Sequence, residues 1–426
     1  MKKKVILMLL MAGAIMAVPT GAFAAETETS VSGVEIECSM SSFGYEAERI
    51  IINVGSTADL QGLTEDDFSL SGCITNGVSS QKREITVNQV SYTGNAVILE
   101  IDSFLVEKSA DSLTMDCTND ALDFSYEAVT NVVCDEHDAF SDETVTVGDT
   151  TVQYKLFSPE TKDEELLPLV IYNHGGGNTG YEGVLTDDSF ACAWAEEENQ
   201  KSIPCYVMAP FRASVKDDTV NTEEEMQAIK AAIDQLVADG KVDPDRIYMT
   251  GESMGSLYTV TFANAYPNFL AAIAIMNGGP FGIEEGTSLE EAVAMDLESP
   301  WSNDELQALA DSQTSVMFIQ ALGDNVSIPI RYATVYTKLM NMGMTPDVDL
   351  VWNSYTAEQF NSLLKGNTKI PVRSNTVVAT DPITGTETYT NGNFHNSSRA
   401  AGWDTRVRTW LMIQELDKEP LVTVEN

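Results

Sequence analysis

The chain has 426 residues, 43% of them hydrophobic, which exceeds the size at which one core stops growing and suffices for two. Its 65 acidic residues against 24 basic ones give a formal charge of −41. Such a field excludes nucleic acid, anionic polymers and anionic membrane surfaces as partners, and otherwise keeps the chain soluble.

In chain order, Lys2, Lys3 and Lys4 precede an apolar run at 5–18 that is too short to span a bilayer, and Ala22-Phe23-Ala24 is a small-residue cleavage pattern. Residues 1–24 therefore read as a signal peptide. No cysteine near the cleavage site takes a lipid, and no later apolar run reaches the roughly 18 residues of a membrane span, so a secreted chain without stable membrane insertion is expected.

Residues 25–138 read as all-β. Ile85, Val87 and Val90 lead to the turn Thr93-Gly94-Asn95, and Val97, Leu99 and Ile101 alternate on the return, which predicts a hairpin. Runs at 34–38, 50–54, 68–74, 113–117 and 124–133 complete about seven strands in about 110 residues, the spacing of a small immunoglobulin-like sandwich. No site chemistry stands out there, so packing or positioning is the expected role, with carbohydrate binding as the alternative. His137, in Cys134-Asp135-Glu136-His137-Asp138, reads as a solvated linker residue. Of six cysteines, Cys192 and Cys205 are the easiest pair to bridge, and buried free thiols remain equally open. None has CxxC spacing, so no metal is expected.

From 139 onward strands and helices alternate, which predicts a mostly parallel sheet flanked by helices. Leu169-Val170-Ile171-Tyr172-Asn173 runs into His174-Gly175-Gly176-Gly177, a loop whose bare N–H groups suit a developing oxyanion, with His174 structural rather than basic. Thr222 and Glu225 read as a capping box; Met226, Ile229, Ile233 and Leu236 form an apolar stripe and Gly240 a stop. Next, Arg246-Ile247-Tyr248-Met249-Thr250 leads into Gly251-Glu252-Ser253-Met254-Gly255 and a helix-compatible run. That is the context of a nucleophile elbow, in which Ser253 stands exposed at a strand end.

Strands are expected at 270–276, 315–322 and 348–352, and helices at 331–342 and 399–414. The stretches 278–313 and 353–393 exceed ordinary connections and are expected to build a lid and acyl pocket. The strand at 315–322 runs into Gly323-Asp324-Asn325, which makes Asp324 the candidate acid; Asp347 and Asp349 remain rivals. Of three histidines only His395 lies downstream of Ser253, where an order of nucleophile, acid and histidine requires the base.

Region 139–426 resembles the α/β-hydrolase superfamily, in its secreted esterase, polyhydroxybutyrate-depolymerase-like and prolyl-oligopeptidase-like branch. The resemblance rests on His174-Gly175-Gly176-Gly177, on Asp243-Pro244-Asp245-Arg246-Ile247-Tyr248 leading into the elbow, and on Gly323-Asp324 and His395, in family order over about 280 residues. Some such esterases carry an immunoglobulin-like domain in front. Ser256 departs from the pattern, since many relatives have a second glycine there, and the 71 residues from Asp324 to His395 suggest an insertion.

The resemblance implies acyl transfer in two steps, without metal or organic cofactor. His395 would take the Ser253 proton, and Asp324 would hold the imidazole. Met254 and Gly176, with Gly175 beside them, would receive the oxyanion. Tyr258, Phe281, Trp301, Phe211 and Arg212 are candidates for lining the substrate pocket. The expected substrate is a small or carbohydrate-linked ester, with acetyl, feruloyl, hydroxyalkanoate and alkyl groups all open, as is the oligomeric state. A prolyl-oligopeptidase-type peptidase competes, but 25–138 is far too short for the β-propeller of that type. A non-catalytic binding protein also competes, against which the complete Ser253, Asp324 and His395 set argues.

Overall fold

The computed structural model describes residues 31–416 except 59, 61, 76–79, 106–112, 120, 121, 128–131, 161–164, 179, 187, 188, 216–220, 367–376 and 391–394. The leader expected at 1–24 lies outside the described residues.

The first region holds β1 (Val31–Ser41), β2 (Gly44–Val54), β3 (Phe68–Thr75), β4 (Ser80–Ile85), β5 (Val87–Tyr92), β6 (Ala96–Leu105), β7 (Leu113–Asn119), β8 (Leu122–Glu127) and β9 (Val132–Val133). They form a five-stranded sheet, β5-β6-β2-β1-β9, and a four-stranded one, β4-β3-β7-β8. The expected hairpin is β5 and β6, with Val90 opposite Leu99 and Tyr92 opposite Val97. Period-two alternation buries Ile36, Ile50, Ile52, Val97 and Leu99 between the layers.

The second region contributes β10 (Phe140–Val147), β11 (Thr150–Phe157), β12 (Leu167–Asn173), β13 (Tyr206–Pro210), β14 (Val242–Glu252), β15 (Ala272–Met276), β16 (Ser315–Ala321) and β17 (Leu350–Tyr355). Their order is β10-β11-β13-β12-β14-β15-β16-β17. β11 runs antiparallel to both neighbours, and every pair from β13 to β17 is parallel. Parallel strands covered on both faces are apolar throughout, and β12, β15 and β16 are buried along their whole length. Val170 and Tyr172 face one core, which the helix Thr405–Met412 helps to cover. Leu169 and Ile171 face the other, under the helices Thr222–Ala238, Met254–Ala265 and Pro329–Asn341. From β12 the chain moves to β13 on one side and then to β14 on the other. A crevice opens at such a switch, beyond the carboxyl ends of the strands.

The two regions share a core. Cys38, Met40 and Tyr45 of the first join Val184, Leu185 and Phe190 of the second in one apolar cluster. Lys365 N–H donates to Ser42 Oγ at 3.0 Å across the junction. His137 belongs to this junction and not to a solvated linker: its ring meets Tyr45 edge-on at 5.5 Å. Cys38, Cys134, Cys192 and Cys205 are buried free thiols, so the Cys192–Cys205 bridge does not form. The Cys192 thiol points to the Leu185 carbonyl at 3.8 Å, whereas Cys205 Sγ lies 3.4 Å from the Gln200 amide. Burial pushes the Cys205 thiol up to about 12.

Two other expectations are corrected. The helix cap is Asn221, whose side chain accepts from Glu223 N and Glu224 N, because Glu225 turns inward to Ser214 instead of back to Thr222. The expected helix at 399–414 is a 3-10 turn, His395–Trp403, followed by the helix Thr405–Met412. Asp404 breaks it by capping Arg406 N while accepting the Tyr355 hydroxyl at 2.6 Å. The stretch 278–313 carries the short helices Leu289–Ala294 and Asn303–Ala310 and is anchored by Ile283, Trp301, Leu306 and Leu309, which join the apolar cluster of the helix Pro329–Asn341. Lys338 on that helix staples it by donating to Met295 O at 2.6 Å and Asn303 Oδ1 at 2.8 Å.

The capping assignment yields a test. Asn221→Ala should cost about 1 kcal/mol of unfolding free energy in urea, whereas Thr222→Ala should be neutral or stabilise by a few tenths of a kcal/mol, roughly the gain in helix propensity. The opposite ranking would restore Thr222 as the cap.

Candidate active site

Ser253 follows β14 directly and starts the helix Met254–Ala265, with φ 53° and ψ −117°. An L-residue occupies this region only when its surroundings force it, at a cost on the order of 1–3 kcal/mol. The forcing contacts explain the two glycines. A Cβ on Gly251 would strike the Gly255 carbonyl, and one on Gly255 would strike the Asn173 carbonyl. Ser256, at the departure from the family pattern, knits the turn: its hydroxyl is 2.8 Å from the carbonyls of both Gly251 and Met276 and accepts Met276 N–H at 3.1 Å. Ser253 itself remains partly open to solvent.

The glycine loop after β12 lies against this turn. A Cβ on Gly175 would sit 3.6 Å from Ser253 Cβ, and one on Gly176 would sit 3.3 Å from Met254 Cγ. His174 is buried and braces the loop. Its Nε2 must accept the Arg212 N–H at 3.0 Å, so Nδ1 carries the proton and donates to the Gly175 carbonyl at 2.9 Å. The Arg212 guanidinium donates to the His174 carbonyl and lies 4.6 Å over the Tyr258 ring. Phe211 stacks on the imidazole at 5.7 Å.

His395 opens the 3-10 turn that crosses the carboxyl ends of the strands. Its Nδ1 donates to Asp324 Oδ2 at 2.8 Å. The other carboxylate oxygen accepts Val326 N–H at 2.8 Å and Ser327 N–H at 2.9 Å, so amides replace the water that burial removes from Asp324. Asp347 and Asp349 sit in the turn before β17, at the opposite end of the sheet, where Asp349 accepts Thr345 N–H. A second buried carboxylate, Glu252, accepts the Ser398 hydroxyl at 2.9 Å and pairs with Arg399 at 3.3 Å. Burial pulls the His395 pKa down, but the Asp324 hydrogen bond and charge, with Glu252 adding, outweigh it and Arg399, leaving a net rise above 6.5.

The pocket candidates separate. Tyr258 and Trp301 are core residues, and Arg212 is buried under the glycine loop, so none of the three presents a surface to substrate. Phe281 is 61% exposed, with Arg331 at 5.8 Å from its ring. Glu252, Asn277, Ser398 and Arg399 were not singled out from the sequence. Their role depends on contacts across 118 to 147 residues, and the only local sign was an acidic residue inside the elbow. Among the described residues no group of three or more His, Cys, Asp or Glu is placed to hold a metal ion.

With His395 as the general base, which must be neutral to act, its raised pKa would move the acid limb of kcat/KM above pH 6.5, so that activity falls as pH drops through the raised value. Glu252→Gln removes one of the charges raising it, so the limb should shift to lower pH in a pH–rate profile; an unmoved limb would discard this electrostatic role. Asp324→Asn should lower kcat about 10⁴-fold while the thermal midpoint changes little.

No family model matches the chain. Poly(3-hydroxyalkanoate) depolymerase C of Paucimonas lemoignei is 30% identical over 122 residues, 27% of this chain and 28% of that one. The match thus spans little more than a quarter of that relative's length. Among solved structures, a thermostable esterase matches 90% of this chain and 100% of its own with a TM-score of 0.63 at 18% identity. Coverage of that extent reaches into the region before residue 139. A puromycin-hydrolyzing peptidase of Mycobacterium tuberculosis covers 72% of this chain and 48% of its own at 15% identity, with a TM-score of 0.40. The mostly parallel eight-stranded sheet flanked by helices, together with the overlap with the esterase, shows that this chain has the α/β-hydrolase fold.

Proposed function

We propose that the protein is a secreted serine carboxylic-ester hydrolase acting on small or carbohydrate-linked esters, with Ser253 as nucleophile, His395 as base and Asp324 as orienting acid. The observation that carries this reading is the 2.8 Å hydrogen bond between His395 and the buried Asp324 carboxylate, at the same strand ends as a serine held in a strained turn. In the first step His395 Nε2 takes the hydroxyl proton as Ser253 Oγ bonds to the ester carbonyl carbon, and the alcohol leaves with that proton. In the second, water attacks the acyl-enzyme with His395 again as base, releasing the acid and restoring Ser253. The N–H groups of Met254 and Gly176, with Gly175 beside them, receive the oxyanion. The positive end of the helix Met254–Ala265 favours that charge.

Two comparisons support esters as the substrate class: the structural likeness to an esterase and the partial sequence match to a poly(3-hydroxyalkanoate) depolymerase. The leader-like segment 1–24 supports export, and among the described residues no helix is long and apolar enough to cross a membrane. The first region, proposed as an immunoglobulin-like positioning module, is built of two small antiparallel sheets.

The test is a panel of chromogenic esters of increasing acyl length run beside peptide amides. Ester turnover should dominate, and Ser253→Ala should lower it about 10⁶-fold and abolish fluorophosphonate labelling without loss of fold. Turnover of amides alone would favour the peptidase, and labelling that survives in Ser253→Ala would move the nucleophile elsewhere.

A further inference from the structure

We propose that Asn277 is a positioning residue that holds His395 in register with the strand end bearing the acid. Asn277 follows β15 directly, is fully buried and has φ 42°, a left-handed conformation that asparagine tolerates better than other residues with a Cβ. Its Oδ1 accepts the N–H of Ala321, the last residue of β16 and three residues before Asp324, at 2.7 Å. Its Nδ2 donates to the His395 carbonyl at 2.6 Å. Its own N–H donates to the Ile319 carbonyl at 3.0 Å, so its backbone is tied to β16 as well.

The amide is the group this place requires. Ala321 offers a donor and His395 an acceptor, so one planar group must accept on one side and donate on the other; a carboxylate lacks the donor and a leucine lacks both. The same logic fixes the orientation of the amide, since its oxygen must face Ala321 N–H. The Asp324 contact sets the tilt of the imidazole, whereas the backbone of residue 395 sets where the ring as a whole lies along the strand ends. Glu252 ties down Ser398 and Arg399, three and four residues further on. Asn277 holds residue 395 itself, and a shift of about 1 Å there would cost up to about 100-fold in rate.

The kinetic part of this inference rests on the ester-hydrolase reading. The experiment uses the full mature chain with Asn277→Gly, which keeps the left-handed backbone but drops both side-chain bonds. Asn277→Asp, the second variant, keeps the acceptor for Ala321 and loses the donor to His395. Each should lower kcat on a short-chain chromogenic ester about 10- to 100-fold with KM nearly unchanged. In a His395→Ala background neither should cause a further loss, because the clamp acts only through the imidazole. The downfield proton resonance of His395 Nδ1–H, identified by its absence in His395→Ala, should broaden or vanish in both variants. Equal losses in both backgrounds, or full kcat with the resonance intact, would overturn the proposal. If Asn277→Gly does not fold, Asn277→Asp decides on the same readouts. A wild type that turns over no ester would overturn the ester reading, and the resonance would then decide the role of Asn277.

Discussion

The site depends on one close approach, that of the Gly255 backbone to the Asn173 carbonyl at the end of β12. Neither Gly251 nor Gly255 has room for a Cβ, and between them Ser253 is held at positive φ. The strain, on the order of 1–3 kcal/mol, is held by the parallel pairing of β12, β14 and β15, all buried at this end. The same approach brings the glycine loop of His174 against Ser253 and Met254. A site at the switch between β12 and β14 follows from topology, because connections leaving in opposite directions open the crevice into which both loops project.

Charge is handled locally in a protein that is acidic overall. Asp324 and Glu252 are both buried, and each is compensated differently: Asp324 by two backbone N–H groups and His395, Glu252 by Ser398 and the Arg399 guanidinium. The segment 395–399 is therefore tied to the ends of β14, β15 and β16 through Glu252, Asn277 and Asp324 respectively. A histidine on a 3-10 turn rather than on a strand or helix needs such external ties, because the turn itself is a weak scaffold. The raised His395 pKa is a consequence of this crowding of carboxylates outweighing desolvation.

The first region is joined to the second by an apolar junction, where Tyr45, Val184, Leu185 and Phe190 share one core. Phe190 also supports the site from below: its ring stacks on Tyr172 of β12 at 5.0 Å, and a Cβ on Gly402 would come within 3.0 Å of it. The packing that unites the two regions thus reaches both the strand carrying the glycine loop and the turn carrying His395.

Local pattern was enough for much of this. Alternating strands and helices predicted the parallel sheet, and turn glycines around Ser253, an aspartate at a strand end and a single downstream histidine each leave a mark within a few residues. The cap at Asn221 was misread because Glu225 fits a capping box locally and is drawn inward by Ser214, a partner 11 residues away. The final helix was misread because Asp404 answers to Tyr355 as well as to its own helix. Aromatic residues near the elbow looked like pocket walls, yet Tyr258 and Trp301 went to the core, since composition does not tell which face of an element meets solvent. The sequence by itself determined the order of elements and the residue types available for chemistry. Tertiary structure alone decided which carboxylate meets His395 and what Asn277 and Glu252 hold, because those contacts join strand ends whose separation along the chain leaves no periodic or local trace.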